Sequence, residues 1–464
     1  MFTPSTSSTT LLDRLTDEIT SFYENPTAVV PQVTAEQIRT HLQSFDFCKP
    51  IDAERVFEEV QYMMRNWNVQ ITHPRYFGLY NPAPLLTAVI AEALAAVYNP
   101  QMAAWSHAPA ANEIERHTLR HIAQKIGLPL EALACNFTAG GSEANHSAVL
   151  VALAHNFPQT LEDGLWALPQ RPIIYASELA HNSFDKIVKH TGLGLDGLRI
   201  VPVNDSLQMD VNALRILIKQ DQNAGRKPFM VVGTAGITAT GTIDPLTAIA
   251  DLCRQYDLWF HVDAAWAGAA VFSDTIRPAL AGIELADSVT VDAHKWFNLT
   301  MGAGMFFTRH AGSNARAFTV RADYMPPSEE AVSVPYLTTM QWSRRFIGLK
   351  LFMALAELGE DQLARMIEYQ AGLGAYFREQ LKQEGWIVVN ETPLPVVNFT
   401  HPRIRMSAVS VDGVLTKLYA EGDAWISSVT LRGEKVFRMC ITNFKTTRAD
   451  VDSLMDQLNR LVSE

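Results

Sequence analysis

The chain has 464 residues, 48% of them hydrophobic and 19% charged, which is enough apolar material for more than one compact core. Its 49 acidic and 38 basic residues leave a net charge of −11, arguing against nucleic acid or an anionic membrane surface as a main partner. Four scattered cysteines without metal-like spacing, no signal-peptide pattern and no run of about 18 apolar residues predict a cytoplasmic globular protein with reduced thiols, no membrane span and no metal centre.

Residues 11–67 read as helices, with Leu12, Leu15 and Ile19 on one apolar face and Val56, Val60 and Met63 on another. Helices this thin have to pack on the main domain or on a second subunit. Residues 73–82, rich in aromatics and proline, are too irregular for a helix. A helix starts near Pro109, with Leu119, Ile122 and Ile126 on its stripe. Residues 135–145 read as a glycine turn opening directly into an Ala/Leu-rich helix.

Strands at 173–176, 200–203, 229–232, 259–262, 289–291 and 305–308 then alternate with helices, the clearest carrying Leu246, Ile249, Cys253 and Tyr256. Such alternation means βαβ units and a mainly parallel sheet covered on both faces. Ligands of these sheets collect at the carboxyl ends of the strands. Residues 344–383 are helical again, and the stretch from Trp386 mixes short strands with helices. The organisation expected is an N-terminal helical segment (1–100), a large α/β domain (101–350) and a small C-terminal α/β domain (351–464).

Four polar clusters fall at predicted strand ends. Gly140-Gly141-Ser142 ahead of a helix offers backbone N–H groups, a hydroxyl and a positive helix terminus to a phosphate, although such turns also occur without ligands. His181 ends the first of the alternating strands, where it is either a catalytic imidazole or a satisfied structural one. Asp263, in Trp259-Phe-His-Val-Asp263, either meets a cation or caps the next helix. Lys295, in Asp292-Ala-His-Lys-Trp296, either snorkels to solvent or is an amine nucleophile that sheds its proton through desolvation.

Taken together, Thr138-Ala-Gly-Gly-Ser-Glu-Ala-Asn145, His261-Val-Asp-Ala-Ala265 and Asp292-Ala-His-Lys-Trp296 resemble the group II pyridoxal-phosphate-dependent amino-acid decarboxylases. The resemblance runs from about His73 to Thr447 and implies the aspartate-aminotransferase-like α/β fold (fold type I). It implies pyridoxal 5'-phosphate as cofactor, with Lys295 as its covalent anchor, Asp263 at the pyridine nitrogen and His181 stacked on the ring. Gly141, Ser142, Ser288 and His294 match phosphate-holding positions, Thr238 a hydroxyl on the ring, and Ala265 a small residue against it.

The activity implied is α-decarboxylation of an L-amino acid to CO2 and a primary amine. Leu79, Tyr80, Asn81 and Trp105 would line the substrate pocket, partly from the second subunit, favouring an aromatic or bulky neutral side chain. A loop tyrosine, Tyr336 or in reserve Tyr324, would protonate Cα. Without one, aminotransfer or decarboxylation-dependent oxidative deamination gains ground, and a non-catalytic regulatory partner of a decarboxylase is a remoter reading. The N-terminal helices would interlock two subunits into a homodimer with shared active sites.

Overall fold

Seven short runs rich in β-branched and aromatic residues build the main sheet, in a computed structural model that describes residues 8–24, 26, 28–320 and 334–464. They are β1 (Ala134–Thr138), β2 (Pro172–Ser177), β3 (Leu198–Val201), β4 (Lys227–Thr234), β5 (Trp259–Asp263), β6 (Ser288–Asp292) and β7 (Gly304–Thr308), in spatial order β1-β7-β6-β5-β4-β2-β3. From β3 across to β6 every pair is parallel, while β7 runs antiparallel to both β6 and β1. Residues of β2, β5, β6 and β7 are buried along their whole length, as a sheet covered on both faces requires.

The helix Gly141–Asn156 covers one face. Its Ala144, Ala148 and Ala152 are fully buried, and these small side chains let it lie close against the sheet in a core shared with Ile174, Val232 and Trp259. The helix Leu246–Tyr256 packs on β4 and β5, where its Leu246 and Ile249 approach Gly233 and Phe260. Among the described residues, no helix is long and apolar enough to cross a membrane. Cys253 and Cys440 are buried free thiols, Cys135 is partly buried and Cys48 is exposed.

The chain divides into two compact units, and not at residues 100 and 350. One comprises 84–375 with 389–397; the other gathers 1–83, 376–388 and 398–464. The helix Leu86–Tyr98 therefore belongs with the large sheet, where the Leu85 N–H donates to the Asn298 carbonyl at 2.7 Å. The N-terminal helices share a unit with the second sheet, β8 (Ile387–Val388), β9 (Val396–Thr400), β10 (Ser427–Leu431) and β11 (Glu434–Cys440), in order β10-β11-β9-β8.

Within that unit the irregular segment 73–82 has a clear reason for its irregularity. Its backbone bridges to Trp425 and to Cys440, with the Phe77 N–H donating to the Trp425 carbonyl at 2.8 Å and the Cys440 N–H to the Phe77 carbonyl at 2.9 Å. Tyr76 stacks on the Trp425 ring at 5.3 Å. Gly78 passes so close that a Cβ there would lie 2.1 Å from the Trp425 ring, so only glycine fits.

Candidate active site

A cavity of about 400 Å³ opens at the carboxyl ends of β4, β5 and β6, all within the large unit. Gly141, Ser142, His181, Thr238, Asp263, Ala265, His294 and Lys295 line it, so eight of the residues singled out from the sequence meet in one place. Sequence-distant strand ends converge here because parallel strands all deliver their carboxyl ends to the same edge of a sheet.

Lys295 sits in the turn just past β6, and its Nζ lies 2.8 Å from Oδ2 of Asp292, the last residue of that strand. A carboxylate therefore stands directly against the amine, a partner that was not anticipated from the sequence. Asp292 is 1% exposed, and its other oxygen, Oδ1, is buried without a hydrogen-bond partner. His294 accepts the Ala303 N–H at Nδ1 (3.1 Å), so in its neutral form Nε2 carries the proton. Burial lowers its pKa and favours that neutral form. His181 is set the same way: its Nδ1 accepts the Ser183 N–H at 3.2 Å, which leaves an Nε2–H donor. The cavity is therefore lined by two imidazoles, each of which holds its Nδ1 in a local backbone bond.

Asp263 closes β5 and is 4% exposed. Its Oδ1 accepts the Ala265 N–H at 3.1 Å and its Oδ2 accepts Asn145 Nδ2–H at 2.8 Å. A buried carboxylate is tolerated on such terms, and it suits a ligand that brings a positive charge or an N–H. At the opposite wall the backbone enters the helix Gly141–Asn156 at Gly140. A Cβ on Gly141 would lie 2.8 Å from Asp292 Oδ2 and 3.3 Å from Ala265 Cβ. Bare backbone at a helix N-terminus, with Ser142 and His294 beside it, is a fitting cradle for a phosphate. Trp266 closes the floor, its Nε1–H donating to the Gly236 carbonyl at 2.6 Å.

Several expected members lie elsewhere. Ser288 begins β6, and four residues of strand, about 13 Å, separate it from the carboxyl end. It is fully buried, accepts Trp259 Nε1–H at 2.9 Å and meets His261 Nδ1 at 2.8 Å, so it supports β5 and does not line the cavity. Tyr336 is also absent from the lining. Pro335 starts a 3₁₀ turn that folds the ring against Trp342 (4.7 Å) in a small cluster with Ala103 and Ala104. Tyr324 lies outside the described residues.

Leu79, Tyr80 and Asn81 belong to the other unit, where Leu79 is half exposed and Tyr80 is buried beneath the Arg438 guanidinium. Trp105 belongs to the large unit but is tied to Glu113 through its indole N–H (3.1 Å) and lines no part of this cavity. Conversely, Asn145, Asp292, Thr234, Glu143 and Trp266 line the cavity and were not anticipated as site residues. Asn145 and Asp292 stand inside the quoted motifs, and Asn145, four residues after Gly141, shares its helical face.

The chain is similar to known proteins over most of its length. Residues 40–401 match the family described as the pyridoxal-dependent decarboxylase conserved domain. The chain is 31% identical over 413 residues to an L-2,4-diaminobutyrate decarboxylase of Acinetobacter baumannii, covering 85% of this chain and 81% of the relative. It is 29% identical over 419 residues to an aromatic-L-amino-acid decarboxylase of Bacillus atrophaeus, covering 88% and 85%. Among solved structures, mouse CSAD superposes with a TM-score of 0.90 at 26% identity across 98% of both chains.

Proposed function

Because this chain belongs to the pyridoxal-dependent decarboxylase family, we propose that the cavity at the ends of β4, β5 and β6 is where it removes CO2 from an aromatic or otherwise bulky neutral L-amino acid. The chain is a pyridoxal-phosphate-dependent amino-acid decarboxylase of fold type I. The observation that carries the site assignment is the meeting of Lys295, Asp263, His181 and the Gly141-Ser142 turn around one cavity.

The residues present fit the cofactor. Gly141 leaves bare backbone at the helix N-terminus, its Cβ position already taken up by Asp292 and Ala265, and two imidazoles with Nδ1 engaged offer Nε2–H groups. When bound, pyridoxal phosphate supplies the electron sink that accepts the pair left as the bond from Cα to the carboxylate breaks. In this reading Lys295 Nζ would be the covalent anchor of the cofactor, and Asp292, 2.8 Å away, positions that amine in the cavity. Asp263 keeps a proton on the ring nitrogen by direct charge stabilisation. His181 would face the ring and present Nε2–H to the substrate carboxylate. Gly141, Ser142 and His294 hold the phosphate, Thr238 a ring hydroxyl, and Ala265 leaves space for the ring. Lys295 Nζ and His181 Nε2 would be the groups to carry a proton to Cα, and the Trp266 and Ala265 side chains add apolar surface to the lining.

The aromatic or bulky neutral preference is supported by the aromatic-L-amino-acid and tryptophan decarboxylases among the relatives. A second reading has its own observation. Glu143 puts a carboxylate in the cavity lining, which would suit a diamino acid such as the A. baumannii relative's name implies. Self-association is supported by the helix Leu86–Tyr98, whose Leu86, Ile90, Leu94, Val97 and Tyr98 are 38–78% exposed along one side, an apolar stripe suited to a second copy. The four free cysteines suit a cytoplasmic setting.

The test is to incubate the cofactor-loaded protein with pooled L-amino acids and identify products by mass spectrometry. An amine one CO2 lighter than an aromatic parent is the expected result. A diamine from a diamino acid would move the assignment to the Glu143 reading, and an aldehyde or keto acid would sink decarboxylation to an amine. Lys295→Ala should fold, yet lose both turnover and the visible absorbance of the loaded protein.

A further inference from the structure

Behind Asp263 a line of polar side chains runs through the sheet away from the cavity. Trp259, His261 and Asp263 are alternate residues of β5 and so point to one face, the face covered by the helix that carries Asn145. His261 is directly opposite Ser288 in the parallel pairing of β5 with β6. These two facts place five groups in contact: Trp259 Nε1 to Ser288 Oγ at 2.9 Å, Ser288 Oγ to His261 Nδ1 at 2.8 Å, His261 Nε2 to Asn145 Oδ1 at 3.1 Å, and Asn145 Nδ2 to Asp263 Oδ2 at 2.8 Å. Ser288 and His261 are fully buried and Asn145 is 1% exposed, so water does not compete for these bonds.

Donor and acceptor counting fixes every proton in the line. Indole N–H can only donate, so Ser288 Oγ accepts from Trp259. An ionised carboxylate can only accept, so Asn145 turns its NH2 group to Asp263, where the second hydrogen reaches Ser183 Oγ at 3.3 Å. Asn145 Oδ1 then faces His261, which must carry its proton on Nε2. Nδ1 of the neutral ring is left bare and takes the Ser288 hydroxyl proton. The other neutral tautomer would set two lone pairs against each other at His261 and Asn145. It would also free the amide to turn its oxygen toward Asp263.

We propose that His261, acting through Asn145, is a positioning residue for Asp263: the line fixes the Asn145 amide with its N–H on Asp263 Oδ2, holding the carboxylate aimed into the cavity. This rests on the reading of Asp263 as the partner of the cofactor's ring nitrogen. A fixed N–H donor favours the charged form of a carboxylate, so Asp263 would offer a bound cofactor's ring nitrogen a steady acceptor. Ser288, expected from the sequence to touch phosphate, acts here by supplying the proton that sets the His261 tautomer.

Two measurements test it. In the cofactor-free parent, 15N spectra of histidine-labelled protein near neutral pH should show His261, assigned by the signal lost in His261→Gln, as the neutral Nε2–H form. An Nδ1–H tautomer or an imidazolium there would overturn the proposal. Second, pyridoxal phosphate is titrated into the parent, His261→Phe, His261→Gln and Asp263→Ala. His261→Phe should weaken cofactor binding roughly tenfold and displace the pH at which the bound cofactor's absorbance changes. His261→Gln, whose amide can still donate to Asn145, should recover most of both. His261→Phe with parent-like affinity and pH response would refute the positioning role while Asp263→Ala still changes them. An Asp263→Ala protein that also matched the parent would refute the underlying assignment of Asp263.

Discussion

Gly141→Ala adds a single carbon, and the structure says where it goes. The new Cβ would stand 2.8 Å from Asp292 Oδ2 and 3.3 Å from Ala265 Cβ. To restore a contact of 3.4 Å, the Asp292 carboxylate has to withdraw by about 0.6 Å. It has little freedom to do so, being 1% exposed at a strand end and bonded to Lys295 Nζ at 2.8 Å. Overpacking of this kind costs about 1–3 kcal/mol. For a chain of 464 residues that is on the order of 1 °C of Tm per kcal/mol, so calorimetry of the cofactor-free protein should show a drop of a few degrees at most. Cofactor affinity is the sharper readout. If the phosphate must approach this same carbon and the strain falls on the bound state, Kd for pyridoxal phosphate rises about 5- to 150-fold. Titration followed by absorbance measures it. A Gly141→Ala protein that binds cofactor as the parent does would refute the cradle, and one that also kept the parent's Tm would refute the placement of Asp292 beside it.

Burial pushes the His261 imidazole down to about 4. The unfolded chain then binds a proton below about 6.5 that the folded chain refuses until about 4, so stability is lost as pH falls through that window, by roughly 3 kcal/mol from this group. Urea unfolding of the cofactor-free parent and His261→Phe between pH 7 and pH 4.5 should show the shallower dependence in the variant, and equal slopes would count against it. Tyr336→Phe should turn over within about twofold of the parent, because the ring serves packing against Trp342. A loss above a hundredfold would return the hydroxyl to the chemistry. Ile90→Glu paired with Val97→Asp places charges in the exposed apolar stripe and should shift sedimentation toward a 51.5 kDa monomer. A parent that already sediments as a monomer would remove the interface altogether.

Much of the cavity was legible in the sequence because it is made at strand ends, and strand ends follow from period-two patterning. Lys295, Asp263 and His181 each terminate an apolar run, and a parallel sheet gathers such ends without further information. Ser288 shows the limit of motif matching: it stands at the wrong end of its strand, a point that the strand's own direction already carried. The antiparallel β7 was legible too, since about a dozen residues without a helix between β6 and β7 are too few for a parallel crossover. Asn145 and Asp292 were missed because a buried carboxylate's partner is chosen by tertiary packing, which local spacing does not encode. Residues 79–81 were drawn toward the site by their aromatic character, whereas the structure places them in a unit stabilised by Trp425 and Arg438. Tyr336 is ambiguous for a similar reason, since a tyrosine near a loop reads the same whether it reacts or packs.

The pairing of β1 with β7 sets the order in which this molecule can come into being. Ala134 lies beside Thr308, about 170 residues later in the chain. At roughly 5–20 residues per second of synthesis, β1 and the glycine turn attached to it wait on the order of 10–35 s for their edge partner to leave the ribosome. Until then Phe137 and the neighbouring backbone have no ladder on that side, an exposed strand of the kind that chaperones hold. Loop closure across that separation is an entropic barrier that rises with contact distance, so the large unit folds slowly and only after most of it has been made. The phosphate cradle hangs from the last strand to dock, which makes cofactor capture a late event in biosynthesis and a direct report that the sheet has closed.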